Sequence, residues 1–540
     1  MKNIILATSC LATVAAFMLL SFNVFAQNDP SIPHLTKKGN STQLIVDGKP
    51  TVLLSAELSN SAGSSMEYME PFWPALKRFH LNSVIAPVYW ELIEPDEGRY
   101  DFAAMDELIF KAREHDMKLV LLWFASWKNA GSSYPPGWVR QDTRRFPRRQ
   151  TREGENTNAL SCFAEASWSA DAKAFAATMK HLKEIDGTQH TVVAIQVQNE
   201  PGVRFMPRDF SPEANKHFGS KVPKQLTSFL EKNKSRLIPE LETIWKKSGY
   251  ETNGTWSEIF GDDANEIFMA WYIGSYIEKV TVAGKKEYEL PMYANAWLEP
   301  NANAKPGDYP SGGPTARMVP IYQAAAPHID FLAPDIYRAD FDVVCDRYKR
   351  MDNPLFIPET RRGPNMAANV FYAVGEGALC FSPFGIDKWL NSPDTLALGK
   401  SYKMLSDLIP VITEYQGSGN MKGFLVPSGE TRILEMGDYQ LKVDAQKDRP
   451  IPAYGLIIAK SNDEFLAAGE GCAITFLSKS TAQPHAELLW AYELVFSNGQ
   501  WIRQRRLNGD ETGTGSNHNI QLQFWTGKPI VLTTKTFAYE

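Results

Sequence analysis

The chain has 540 residues, of which 44% are hydrophobic, and a formal net charge of -6 at pH 7. That length and apolar content suffice for a large core divided over two units, and they exclude a wholly disordered chain. A charge so close to neutral provides no broad basic face, which argues against a nucleic-acid partner and leaves small or neutral substrates.

Met1-Lys2, an apolar stretch from Ile4 to Phe22 and the small residues of Val24-Phe25-Ala26 read as a signal peptide over residues 1–26. The expectation is a mature chain from about Gln27 in the periplasm or outside the cell. Cys10 falls inside the apolar stretch and is not read as a lipid-attachment site. No later run is long and apolar enough to span a bilayer. Cys162, Cys345, Cys380 and Cys472 are scattered without CxxC spacing, so they define neither a disulfide framework nor a zinc site. Buried free thiols are expected.

Gln43–Val46 and Thr51–Leu54 flank Asp47-Gly48, a pair suited to a tight hairpin turn. Beyond it, short apolar runs alternate with amphipathic ones, the pattern of parallel strands joined by helices. Eight strands are predicted: Thr51–Ala56, Ser83–Val88, Lys118–Phe124, Val192–Val197, Pro291–Ala296, Ile329–Ile336, Leu355–Pro358 and Ala378–Ser382. Met105, Leu108, Ile109 and Ala112 recur at helical spacing between them. The fold expected is α/β, a (β/α)8 TIM barrel over residues 27–415 with an insertion around 205–250, followed by a C-terminal all-β domain over 416–540. For that domain the runs are Ile433–Met436, Tyr439–Val443, Leu456–Ala459, Phe465–Ala468, Glu493–Phe496 and Ile530–Thr533, with hairpin turns at Ser497-Asn498-Gly499 and Thr526-Gly527-Lys528.

Barrel enzymes carry reactive groups where strands end. The fourth strand runs out in Asn199-Glu200 and the seventh in Glu359. A glycosidic bond needs one carboxylic acid to protonate the leaving oxygen and one carboxylate to attack, and glutamates on these strands can face each other across the barrel mouth. Asn199 would hydrogen-bond a sugar hydroxyl. Trp90, Trp123, Trp127 and Trp297 at strand ends are candidates for stacking on sugar rings, with core packing as the alternative. Arg140, Arg144, Arg145, Arg148, Arg149 and Arg152 follow the third strand. A solvated or ion-paired loop is the first reading, and contact with an anionic glycan bearing uronic acids is the second. The chain carries no Gly-x-Ser-x-Gly elbow, His-Glu-x-x-His helix or Gly-x-x-x-x-Gly-Lys loop, so no metal or other cofactor is called for.

Glu57 in Thr51-Val-Leu-Leu-Ser-Ala-Glu-Leu, the run from Tyr89-Trp90-Glu91 through Glu94-Pro95 to Tyr100-Asp101-Phe102, Pro135-Pro136-Gly137-Trp138 and Gln196-Val-Gln-Asn-Glu200 together resemble the β-galactosidases of glycoside hydrolase family 35, and more distantly family 42. The likeness covers most of residues 43–400. It implies a retaining, exo-acting β-galactosidase with Glu200 as acid/base, Glu359 as nucleophile and Tyr337 beside the nucleophile. Departures occur at Pro87 and Pro201, where the family usually has tyrosine, and at Trp127-Lys128-Asn129, which stands in place of Asn-Ala-Glu sugar contacts. Trp127, Asn129 and Trp90 join Asn199 and Tyr337 as candidate substrate-binding residues. The partner expected is a β-galactoside; another β-linked sugar, or a non-catalytic glycan-binding barrel, are the alternatives.

Overall fold

The computed structural model describes residues 31–513 and 521–540, so the leader read from residues 1–26 lies outside the described residues. Eight parallel strands form the central sheet: Leu53–Leu54, Ser83–Tyr89, Lys118–Lys128, Val192–Asn199, Met292–Trp297, Phe331–Ile336, Ile357–Thr360 and Cys380–Pro383. Each coincides with a predicted run, with ends shifted by a few residues. The sheet closes on itself at Glu57, which bridges Ile85 of the second strand and Phe384 after the eighth. Every residue of the second and fourth strands is buried, which explains why these runs are continuously apolar rather than alternating.

The barrel interior is filled by Ile85, Val120, Leu122, Phe124, Val193, Tyr293, Phe331 and Phe356, onto which Leu44 and Val46 also pack. Those two come from a three-stranded antiparallel sheet, His34–Lys38, Ser41–Val46 and Lys49–Thr51. Its turn at Asp47-Gly48 has φ of 51° and 71°, the left-handed pair that a two-residue hairpin requires. On the outside, the long helices Glu165–Asp186 and Ala264–Glu287 pack closely because Gly284 has no side chain: a Cβ there would lie 2.2 Å from Phe175. Between the fourth strand and the second of these helices, the chain adds the short helices Pro212–Phe218, Lys224–Lys232, Pro239–Lys246 and Trp256–Phe260.

After the helix Pro393–Tyr415, two antiparallel sheets enclose a second core that includes Leu441, Val443, Ile457, Phe465, Ile474 and Leu532. The six-stranded sheet runs in the order Met421–Val426, Ala453–Ala459, Glu464–Glu470, Ile530–Tyr539, His485–Ser497, Gln500–Leu507. Thr431–Met436, Tyr439–Ala445, Cys472–Ser478 and Gln521–Gln523 form the other. The turn at Asn498-Gly499 closes a true hairpin, with Ser497 paired to Gln500. The turn at Gly527 does not: it carries the chain from one sheet to the other. The barrel helix Met366–Gly375 lies against this unit with Phe371 beside Tyr454, and Gly375 and Gly423 touch backbone to backbone. Cys162, Cys345, Cys380 and Cys472 are all buried and free. Among the described residues no helix is long and apolar enough to cross a membrane.

Candidate active site

At the C-terminal rim of the barrel a cavity of about 640 Å³ is lined by Asn60, Lys128, Glu200, Asp335, Tyr337 and Glu359, among others. It opens where the third, fourth, sixth and seventh strands run out, so Lys128, Glu200, Asp335 and Glu359 are held at or next to strand ends, while Asn60 comes from a turn.

Glu200 follows the fourth strand directly and is 5% exposed. Its backbone is pinned on both sides: the N–H donates to Asn295 Oδ1 at 2.8 Å and the C=O accepts from Ala130 N–H at 3.1 Å. Gln198, two residues earlier, is tied by its side chain to Trp127 N–H and to the buried Asp171. These ties hold Gln198, Glu200, Asn129 and Ala130 at φ between 44° and 66°, a left-handed conformation that non-glycine residues adopt only when the surroundings impose it. Asn295 also donates to Asp335 Oδ2 at 2.6 Å, and the Asp335 carboxyl lies beside that of Glu200 and holds its titration down. One amide therefore fixes the backbone of Glu200 and the carboxyl beside its side chain.

Glu359 stands on the seventh strand in register with Asp335, is 6% exposed, and accepts a hydrogen bond from the Tyr337 hydroxyl on Oε1. Its Oε2 has no protein partner. Glu57, wholly buried at the closure of the barrel, feels the charge of both glutamates, and Lys128 is a cation that offsets all three carboxyls, joined at Glu200 by Arg204.

Burial and the neighbouring Glu359 push Glu200 up to about 7. Burial raises Glu359 too, but Lys128 and the Tyr337 hydroxyl oppose it. Glu57 and Asp335 are raised well above the usual carboxylate range by burial and by Glu359. So many carboxyls in one buried site cannot all ionise, and Glu359 is the one whose ionisation the surroundings oppose least. The pair has the polarity of an acid beside a nucleophile.

The candidates from the sequence divide. Glu200, Glu359, Tyr337 and Asn129 line the cavity, and Asn199 is buried with both amide atoms free of protein partners. Trp127 and Trp90 do not reach it. Trp127 is fully buried, its indole N–H bound to Leu160 C=O and its ring against Tyr276. Trp90 is equally buried, bonded to Glu94 and packed on Trp138, and Trp123 is bonded to the buried Asp171. Core packing rather than sugar stacking is their role, and Trp297 is the tryptophan at the cavity. Asp335 and Asn295 are additions of the structure, and Lys128, in the sequence only part of a departure from the family pattern, gains a place at the site. Their signal was a polar residue within or at the end of an otherwise apolar barrel strand, the same signal that marked Glu200.

Residues 67–262 match a family model described as Beta-galactosidase, that of glycoside hydrolase family 42, and residues 398–519 match a Domain of unknown function (DUF5597). No curated protein matches the chain. A catalytic mutant of a GH42 beta-galactosidase from G. stearothermophilus superposes with a TM-score of 0.52 at 10% identity, over 94% of this chain and 100% of that one. Beta-galactosidases from Bacillus circulans sp. alkalophilus (14% identity, TM-score 0.46) and Rahnella sp. R3 (15%, 0.45) match 67% and 73% of this chain. This chain spans only 57% and 59% of their lengths. The family model points to the more distant of the two resemblances, family 42, and the first superposition places the whole fold with a barrel of that kind.

Proposed function

We infer that this glycoside hydrolase is a retaining, exo-acting β-galactosidase, with Glu359 as nucleophile and Glu200 as acid/base. The observation that carries the reading is the pairing of two buried glutamates at one barrel rim, one pushed up to about 7 and the other steadied as a carboxylate by Lys128 and Tyr337. Glu359 attacks the anomeric carbon while Glu200 gives its proton to the leaving oxygen, forming a glycosyl-enzyme. Glu200, now ionised, takes a proton from water as that water breaks the glycosyl–Glu359 bond. Asn199 and Glu359 Oε2, free of protein partners, are available to the sugar. The motifs from Tyr89 to Phe102 and at Asn199-Glu200 support galactose, whereas Pro87 and Lys128 depart from the galactosidase pattern and favour a second β-linked sugar as the alternative. The leader sequence supports export to the periplasm or beyond.

A panel of nitrophenyl glycosides tests the substrate, with the β-galactoside expected to turn over fastest. Glu359→Gln should lower kcat by about 10⁴-fold on every substrate. Glu200→Ala should accumulate glycosyl-enzyme on an activated aryl glycoside and be rescued by azide with β-galactosyl azide as product. Rescue of the Glu359 variant alone, with the α-azide as product, would exchange the two assignments.

A further inference from the structure

A second cavity, of about 700 Å³, adjoins the catalytic one and shares Asn129 and Trp297 with it. Its walls are the chain that follows Glu200, from Val203 to Phe210, and the loops after the third strand. No residue of the seventh strand, which carries Glu359, lines it. The group that protonates the glycosidic oxygen faces the departing half of the substrate, so a cavity on the Glu200 side is the place for that half.

Its chemistry is one-sided. Arg149, Arg152 and Arg204 line it, against Glu153 as the only acidic side chain among the described lining residues. Arg204 lies between rings, its Cζ 4.2 Å from the centre of Trp297 and 4.9 Å from that of Phe205. Arg152 lies over Phe210 at 4.9 Å. Their guanidinium groups rest on ring faces and leave their edges for a ligand. Arg149 is 1% exposed, and its Nε and Nη2 have no hydrogen-bond partner. Asp209, a carboxylate acting on it, already accepts from Gln150 N–H, Ser211 N–H and Ser161 Oγ. On its other side Arg149 gives Nη1 to Gly202 C=O and lies over the Trp127 ring, which leaves Nε and Nη2 as its free donors behind the cavity wall. Phe205 at the rim is 89% exposed and held at φ 67°, an aromatic ring presented to solvent at a conformational cost. The rest of the arginine-rich loop behaves differently: Arg145 pairs with Glu97, and Arg140 and Arg148 cap backbone carbonyls.

We propose that this cavity is the leaving-group subsite and that it takes an acidic sugar, a uronate whose carboxylate meets Arg152 and Arg204 while its ring lies against Phe205 or Trp297. The proposal rests on Glu200 being the acid/base of a glycosidase. It makes the preferred substrate a β-galactosyl unit carried on a uronic acid, a linkage that an enzyme trimming acidic polysaccharide would meet.

The test compares β-galactosyl-(1→4)-glucuronate with its neutral methyl ester. The acid should show about tenfold higher kcat/KM at low ionic strength, the size of one charge-assisted hydrogen bond, and added salt should erode the preference. Arg152→Ala and Arg204→Ala should each cut the acid-to-ester ratio severalfold, and Arg152→Lys should restore part of it. Equal rates for acid and ester, or a faster ester, would overturn the subsite. If the nitrophenyl β-galactoside is inert while another aryl glycoside turns over, the galactose reading falls alone, and titration decides the subsite: glucuronate should bind wild type more tightly than glucose and lose that margin in Arg152→Gln. Equal binding of glucuronate and glucose would sink it.

Discussion

Glu200 and Glu359 are chemically identical, and what separates them is the company each keeps: Asp335 and the charge of Glu359 around one, Lys128 and a tyrosine hydroxyl around the other. Activity needs Glu359 ionised and Glu200 protonated. With Glu200 near 7, kcat/KM should fall as pH rises through about that value, and the acid limb should lie above the ordinary glutamate range because burial raises Glu359. Removing the negative charge in Glu359→Gln should lower the Glu200 titration, which carbon NMR of labelled glutamate would follow. The Asp335 carboxyl holds the titration of Glu200 down, so Asp335→Ala should move the alkaline limb upward and cost roughly 10²-fold in kcat through lost orientation. Asp335→Asn keeps an N–H donor and should move the limb less. At this scale the sequence showed the catalytic glutamates because they stand where apolar strands stop. It could not tell Trp90 and Trp127 from sugar platforms, since a large ring at a strand end serves a core equally well and only the helix packed outside decides.

Strands of the barrel were legible because burial on both faces forces short apolar runs. Strands at the margins of the C-terminal sheets were not. Gln500–Leu507 is an edge strand with nearly every side chain exposed, so its composition is that of a loop. Met421–Val426, the opposite edge, is interrupted by Gly423. That glycine has a reason in packing: a Cβ there would lie 2.3 Å from Tyr372 C=O, in the helix Met366–Gly375. Gly423→Ala should therefore destabilise the protein by about 1–3 kcal/mol through overpacking, read as a lower Tm, with little effect on the acid limb of the pH profile.

Across the whole molecule, one continuous apolar cluster includes the barrel's outer layer together with Tyr454, Leu456, Ile458, Leu466 and Val531 of the C-terminal sheets. Trp501 adds a hydrogen bond from its indole to Asp407 C=O on the helix Pro393–Tyr415. Two units joined in this way should unfold together, as a single calorimetric transition rather than two. A chain ending at Tyr415 should expose the helix Met366–Gly375, aggregate, and fail to hydrolyse the aryl glycoside that the full chain turns over. Two melting steps, or an active truncated barrel, would contradict this. The sequence announced the change from one fold grammar to the other but not this union, because residues that meet across such a seam carry no periodicity of their own.

The contact between Gly375 and Gly423 has a consequence for how this protein can be rearranged. A Cβ added at Gly375 would lie 2.5 Å from the Gly423 Cα, so the two main chains meet with no room for a side chain on either. Most modules in multidomain enzymes are tethered by linkers and can be shuffled between hosts. Here a transplant of the C-terminal unit onto a foreign barrel would succeed only where the recipient helix also ends in glycine at the matching turn, so the two halves are expected to be inherited, and engineered, as one piece.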